Sequence, residues 1–170
     1  IWPADYKDPW TLSGEVKRDG LGLHTGNSCS LRLSPSSKPG FHVSWIEEEG
    51  SSIKLSTDQL RESALCTTLD FGKRKLATVE HLLAALGGCG LSHVEIQVSG
   101  EEVPILDGSA LGWVEAVEEA GIRPASSPRD EALSLDSPVV CHRNKSVITA
   151  IPADRFCLVA AIDFPQKAIG

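Results

Sequence analysis

The sequence contains no methionine, a single tyrosine, and only 5% aromatic residues. A chain without Met that begins at Ile1 carries no encoded start, so a removed leader or a cut chain is expected. Its five cysteines, Cys29, Cys66, Cys89, Cys141 and Cys157, are odd in number and form no C-x-x-C pair. That pattern argues against both a disulfide framework and a structural zinc knuckle, and it points to a reducing compartment. No run of 18 apolar residues occurs, so no transmembrane helix is expected; the longest stretches, Leu82 to Leu86 and Cys157 to Ile162, are core-sized. Basic residues are outnumbered, 16 Lys and Arg against 23 Asp and Glu, for a net charge of −7. A nucleic acid or an anionic lipid surface needs a basic footprint, so neither is expected as a partner. The short run Lys73-Arg74-Lys75 reads as a solvated turn.

What is present suffices for one solid domain or two small ones, with an apolar share of 41%. After an irregular lead-in, Thr11 to Val16 is a short strand candidate. Ser28 to Ser34 alternates, with Cys29, Leu31 and Leu33 on one face. A turn at Pro35, Pro39 and Gly40 leads to a third strand, Phe41 to Ile46. Ser56-Thr57-Asp58-Gln59 has the capping-box form and predicts a helix from Ser56 to about Ala64. Leu65 to Leu69 breaks that period and reads as extended. A second helix runs from Val79 to Leu86, with Thr78 as N-cap and Gly87-Gly88 as its stop. Ser92 to Ser99 alternates again. Ala110 to Ala120 is a third helix, with an apolar stripe at Trp113, Val114 and Val117, Gly121 at its end, and Asp107 as the expected cap. The Pro-, Ser- and charge-rich stretch 122–138 marks a boundary. Beyond it Val139 to Arg143, Ser146 to Ile151 and Phe156 to Phe164 predict a three-stranded meander. Such a sheet is marginal alone. The expected organisation is an N-terminal α+β domain over 1–125, a linker over 126–137, and the first strands of an unfinished second α+β domain over 138–170.

Three segments concentrate chemistry. Glu80-His81 opens an apolar helix: neutral imidazole is a metal ligand, and the adjacent carboxylate suits a general base toward a metal-bound water. Spacing alone is weak, since neighbouring helix residues point about 100° apart, and a surface Glu beside a half-buried His is the simpler reading. Gly20-Leu21-Gly22-Leu23-His24-Thr25-Gly26 is not the dinucleotide fingerprint, because the third glycine comes late and no helix follows. It reads as a glycine-rich hairpin turn with His24 at its tip, solvated or reaching a ligand. Cys66, in Leu65-Cys66-Thr67-Thr68-Leu69, reads as a small buried residue or a soft wall of a site.

Taken in order, these segments together with Val103-Pro104-Ile105-Leu106-Asp107-Gly108-Ser109-Ala110 match the blocks of the UDP-3-O-acyl-N-acetylglucosamine deacetylases of lipid A biosynthesis. The chain resembles the N-terminal part of that family over about residues 11–170, and its ending is similar to the plant members. The resemblance implies two α+β domains, each a two-layer sheet-and-helix unit of the ribosomal protein S5 domain 2-like type. It implies zinc-dependent hydrolysis of the 2-acetamido group of UDP-3-O-acyl-N-acetylglucosamine, with release of acetate. Carried over, His81 is a zinc ligand, Glu80 the general base, and Leu65, Cys66, Thr67 and His24 substrate-binding residues. The family's further zinc ligands, a His and an Asp on a later helix, have no counterpart before Gly170, so this chain alone is expected to be inactive. His42, His93 and His142 occupy no matching position. The plant-like ending implies a mitochondrial location, with the bacterial cytoplasm as the alternative. A short non-catalytic paralogue acting as a binding module, self-associating through its uncovered second sheet, is the competing expectation.

Overall fold

The computed structural model describes residues 2–3, 7–48, 51–131, 133–163 and 165. Most of the family-like ending, from Phe164 on, lies outside them. Contacts divide the chain into two units, Ile1–Asp130 and Glu131–Gly170.

In the first unit, β1 (Trp10–Leu12) and β2 (Val16–Leu21) replace the single strand expected over Thr11–Val16. The chain turns between them, where Ser13 and Gly14 donate to the carbonyls of Gly121 and Ala120. Next come β3 (Ser28–Pro35), β4 (Gly40–Trp45) and β5 (Ile53–Lys54). A small sheet follows, built from β6 (Leu60–Arg61), β7 (Thr68–Asp70) and β8 (Lys75–Ala77). The remaining elements are α1 (Glu80–Gly88), β9 (His93–Ser99), α2 (Leu111–Ala120) and β10 (Ile122–Pro124).

β9 lies at the centre of the main sheet, antiparallel to β3 and parallel to β4. β2 extends the sheet beyond β3, and β5 extends it beyond β4. β1 meets β9 through Thr11 and His93 and pairs β10 on its other edge. Alternation decides the faces. Leu31 and Leu33 of β3 and Val94, Ile96 and Val98 of β9 enter one core with Leu82, Ala85 and Leu86 of α1 and Trp113, Ala116 and Val117 of α2. The architecture is therefore α+β, with helices packed on a sheet.

Several local expectations are corrected. The capping box at Ser56 does form: its hydroxyl accepts from the Asp58 N–H at 3.2 Å, and its N–H donates to Gln59 Oε1 at 2.9 Å. It closes only one 3-10 turn, Thr57–Gln59, because no residue of that turn is buried and an isolated helix without tertiary packing does not outweigh its nucleation cost. Leu60 instead pairs with Leu69. Thr78 does not cap α1; it adopts a left-handed backbone (φ 58°), and Val79 occupies the cap position without a side-chain bond. Gly87 and Gly88 form the last turn of α1 rather than its stop. Asp107 does not cap α2 directly. It accepts from the Ser109 N–H and hydroxyl, both at 2.9 Å, and Ser109 Oγ accepts from the Leu111 N–H at 3.0 Å.

The second unit contains an antiparallel hairpin, β11 (Val139–Arg143) and β12 (Ser146–Ala150), with Asn144 in the left-handed conformation its tight turn needs. The third strand expected over Phe156–Phe164 does not form within its described residues, up to Asp163. Phe156, Leu158, Val159 and Ile162 are exposed there, so neither a ladder partner nor a buried face holds the segment extended. Among the described residues no helix is long and apolar enough to cross a membrane.

Candidate active site

The three-stranded sheet places the first part of the site. The connection from β6 to β7 carries Leu65, Cys66 and Thr67, and β8 runs through Ala77 and Thr78 into the first turn of α1, where Glu80 and His81 sit. Leu69 of β7 and Leu76 of β8 are buried and anchor both strands in the core. The register Thr68 to Ala77 brings the two connections side by side. The Thr67 N–H donates to Glu80 Oε2 at 2.9 Å, which fixes the carboxylate in the first turn, where the helix dipole favours negative charge. Glu80, His81, Cys66 and Thr67 are all half-buried. The Cys66 thiol lies 3.6 Å from Thr68 Oγ1 and 3.9 Å from Ser63 Oγ. Leu65 is 92% exposed with a left-handed backbone (φ 66°), so its side chain faces solvent and not a packed wall.

His24 comes from another part of the fold. It sits in the hairpin turn between β2 and β3, which is closed by Gly22 N–H to Asn27 O at 2.9 Å and Gly26 N–H to Gly22 O at 3.0 Å. Its ring is exposed. Its backbone N–H donates to Glu102 Oε1 at 3.0 Å, and the Thr25 N–H to Glu102 Oε2 at 2.9 Å. Thr78 donates its hydroxyl to Glu102 Oε1 at 2.8 Å. Glu102 is 2% exposed. Burial raises its pKa, but the bonds from His24, Thr25 and Thr78 outweigh burial and bring it down to about 2. Two adjacent glutamates, Glu101 and Glu102, give no local sign in the sequence that one of them is buried. The apolar run Val103 to Leu106 directly after them was the available signal that the chain turns inward there.

The described residues do not hold a catalytic zinc by themselves. Such a site takes three protein ligands and an open position, and no group of three His, Cys, Asp or Glu is placed to share an ion among the described residues. His42 and His93 are buried in the sheet instead, with His93 between the hydroxyls of Ser92 (2.8 Å) and Ser127 (3.0 Å). All five cysteines are free thiols. Two open depressions, of about 310 and 420 Å³, are lined by neither Glu80 nor His81. The candidate site is thus a partly exposed ledge at the start of α1 and the turn before β7, with the Gly22–Asn27 turn tied to Thr78 through Glu102. Lys73-Arg74-Lys75 is a surface turn whose Arg74 pairs with Glu47 and Glu48 and stacks over Trp45.

Comparison with known proteins places the chain in a family. The family described as LpxC, UDP-3-O-acyl N-acetylglycosamine deacetylase, matches residues 10–170. The chain is 38% identical over 162 residues to the UDP-3-O-acyl-N-acetylglucosamine deacetylase of Thermosynechococcus vestitus, covering 94% of this chain and 56% of that protein. It is 34% identical over 164 residues to the protein of the same name from Trichormus variabilis (94% and 58%). It is 36% identical over 173 residues to the Arabidopsis thaliana protein named Probable UDP-3-O-acyl-N-acetylglucosamine deacetylase 1, mitochondrial (94% and 52%). The chain spans about half the length of the relatives it matches. On the strength of the family match and these identities, the chain belongs to the UDP-3-O-acyl-N-acetylglucosamine deacetylase family.

Proposed function

We propose that this chain forms one side of the active site of a zinc-dependent deacetylase acting on UDP-3-O-acyl-N-acetylglucosamine, with Glu80 as general base and His81 as one metal ligand. The observation that carries this reading is the placement of Glu80: half-buried in the first turn of α1, with Oε2 held by the Thr67 N–H at 2.9 Å. A carboxylate fixed in this way takes a proton from water as the resulting hydroxide adds to the acetamide carbonyl. The C–N bond then breaks, acetate leaves, and the freed amine takes up a proton. Of the described residues, His81 would supply one imidazole toward a zinc, which when bound would polarise the acetamide carbonyl and activate the attacking water. Cys66 and Thr67 line the reacting centre, Leu65 meets substrate from the solvent side, and His24 contacts substrate from the opposing turn.

Residues 1–125 make up a ribosomal protein S5 domain 2-like layer, 126–137 a linker and 138–170 the start of a second similar domain; the division of contacts after Asp130 supports a boundary within that linker. The likeness to the Arabidopsis thaliana protein named as mitochondrial supports a mitochondrial location, and the cyanobacterial relatives support the bacterial alternative. The metal assignment is tested on the protein purified from its source. His81→Ala is expected to lose bound zinc and acetate release together, whereas Glu80→Gln keeps the zinc. Full zinc retention by His81→Ala would remove His81 from the ligand set.

A further inference from the structure

We propose that Glu102 is the positioning residue of this site, its carboxylate tying the turn that carries His24 to the strained turn that launches Glu80 and His81. This rests on the reading of Glu80 and His81 as the reacting pair, and it deepens that reading.

Glu102 collects donors from two segments that share no element. From the β2–β3 turn come the N–H groups of His24 (3.0 Å) and Thr25 (2.9 Å), and from the β8–α1 junction comes the Thr78 hydroxyl (2.8 Å). A carboxylate this buried is costly unless its lone pairs are filled, and here neutral N–H and O–H dipoles fill them. Backbone bonds clamp the same place: Ala77 N–H to Glu101 O at 2.9 Å and Val103 N–H to Ala77 O at 3.0 Å. Thr78 is β-branched with φ 58°, a region such residues avoid, and that strain persists only where neighbours over-determine it. Gly22 completes the fit, because a Cβ there would run into Glu102 Oε2. Gln cannot replace Glu102: it offers one acceptor oxygen, and its amide N–H groups would face donors.

The test is amide hydrogen exchange on this chain, with the histidine ring signals followed by NMR. Glu102→Gln is expected to speed exchange at the His24 and Thr25 amides about tenfold, the loss of one charge-assisted bond. It is also expected to move the His81 ring signal, while the Ile96 and Val98 amides of β9 keep their protection. Thr78→Val keeps the carboxylate and removes one bond, and it serves equally if Glu102→Gln does not fold: the His81 ring signal moves and the Thr25 amide exchanges faster. In the double variant Thr78→Val adds nothing further. Wild-type rates at His24 and Thr25, an unmoved His81 signal, or additive effects in the double variant would each overturn the proposal. A purely structural role would instead raise exchange across β9 as well. Failure of the Glu80 and His81 assignment in zinc or acetate assays leaves these rates standing, so the two failures are distinguishable.

Discussion

Strands β3 and β11 both carry apolar side chains, yet Leu31 is 0% exposed and Val140 is 63% exposed. β3 is paired on both edges, by β2 and β9, and its inward face meets α1 and α2 across one core. β11 pairs β12 alone, and no helix of that unit occurs among the described residues. The contrast shows that apolar content in a strand becomes stability only when another layer covers it, since burial of apolar area is what stabilises.

Substitutions in the two units sharpen that contrast. Trp113→Ala, at a fully buried position on α2, is expected to cost about 3–5 kcal/mol. Urea unfolding measures it, and a change below about 1 kcal/mol would mean that the helix layer does not carry the first unit's stability. Next comes the charge buried between segments. Glu102 has its folded pKa lowered from 4.5 to about 2, so the unfolded chain binds the proton more readily. Its contribution, on the order of 3 kcal/mol, is present above the unfolded value and lost as pH falls through the folded one. Stability measured down that window should drop in the wild type and stay flatter in Glu102→Gln. Parallel curves would place the acid sensitivity elsewhere. The smallest effect is expected in the bare hairpin: Val147→Thr should change the stability of the first unit by less than about 0.5 kcal/mol, as read from its own thermal transition. A larger shift would show that β12 is covered in solution.

How much the sequence disclosed follows the same division. β3, β9, α1 and α2 were legible because their apolar periods coincide with a buried face, as at Leu31, Leu33, Val94, Ile96, Trp113 and Val117. The expected helix after Ser56 failed because its signal was purely local: the capping box formed, but nothing apolar stood behind it. Phe156 to Ile162 reads as a strand for its hydrophobicity and has no described partner to pair with. The candidate residues Glu80, His81, Cys66 and Thr67 stand out through ordered sequence blocks, and the structure brings Thr67 against Glu80. The strain at Thr78 and the burial of Glu102 were not, because both depend on bonds between residues distant in sequence.

The proposed role of Glu80 as the base of an acetamide hydrolysis is tested by acetate release from UDP-3-O-acyl-N-acetylglucosamine by the protein purified from its source. Glu80→Gln should lower release by about 10²–10⁴-fold, the usual contribution of a positioned general base. Release at the wild-type rate by a folded Glu80→Gln protein would contradict that role.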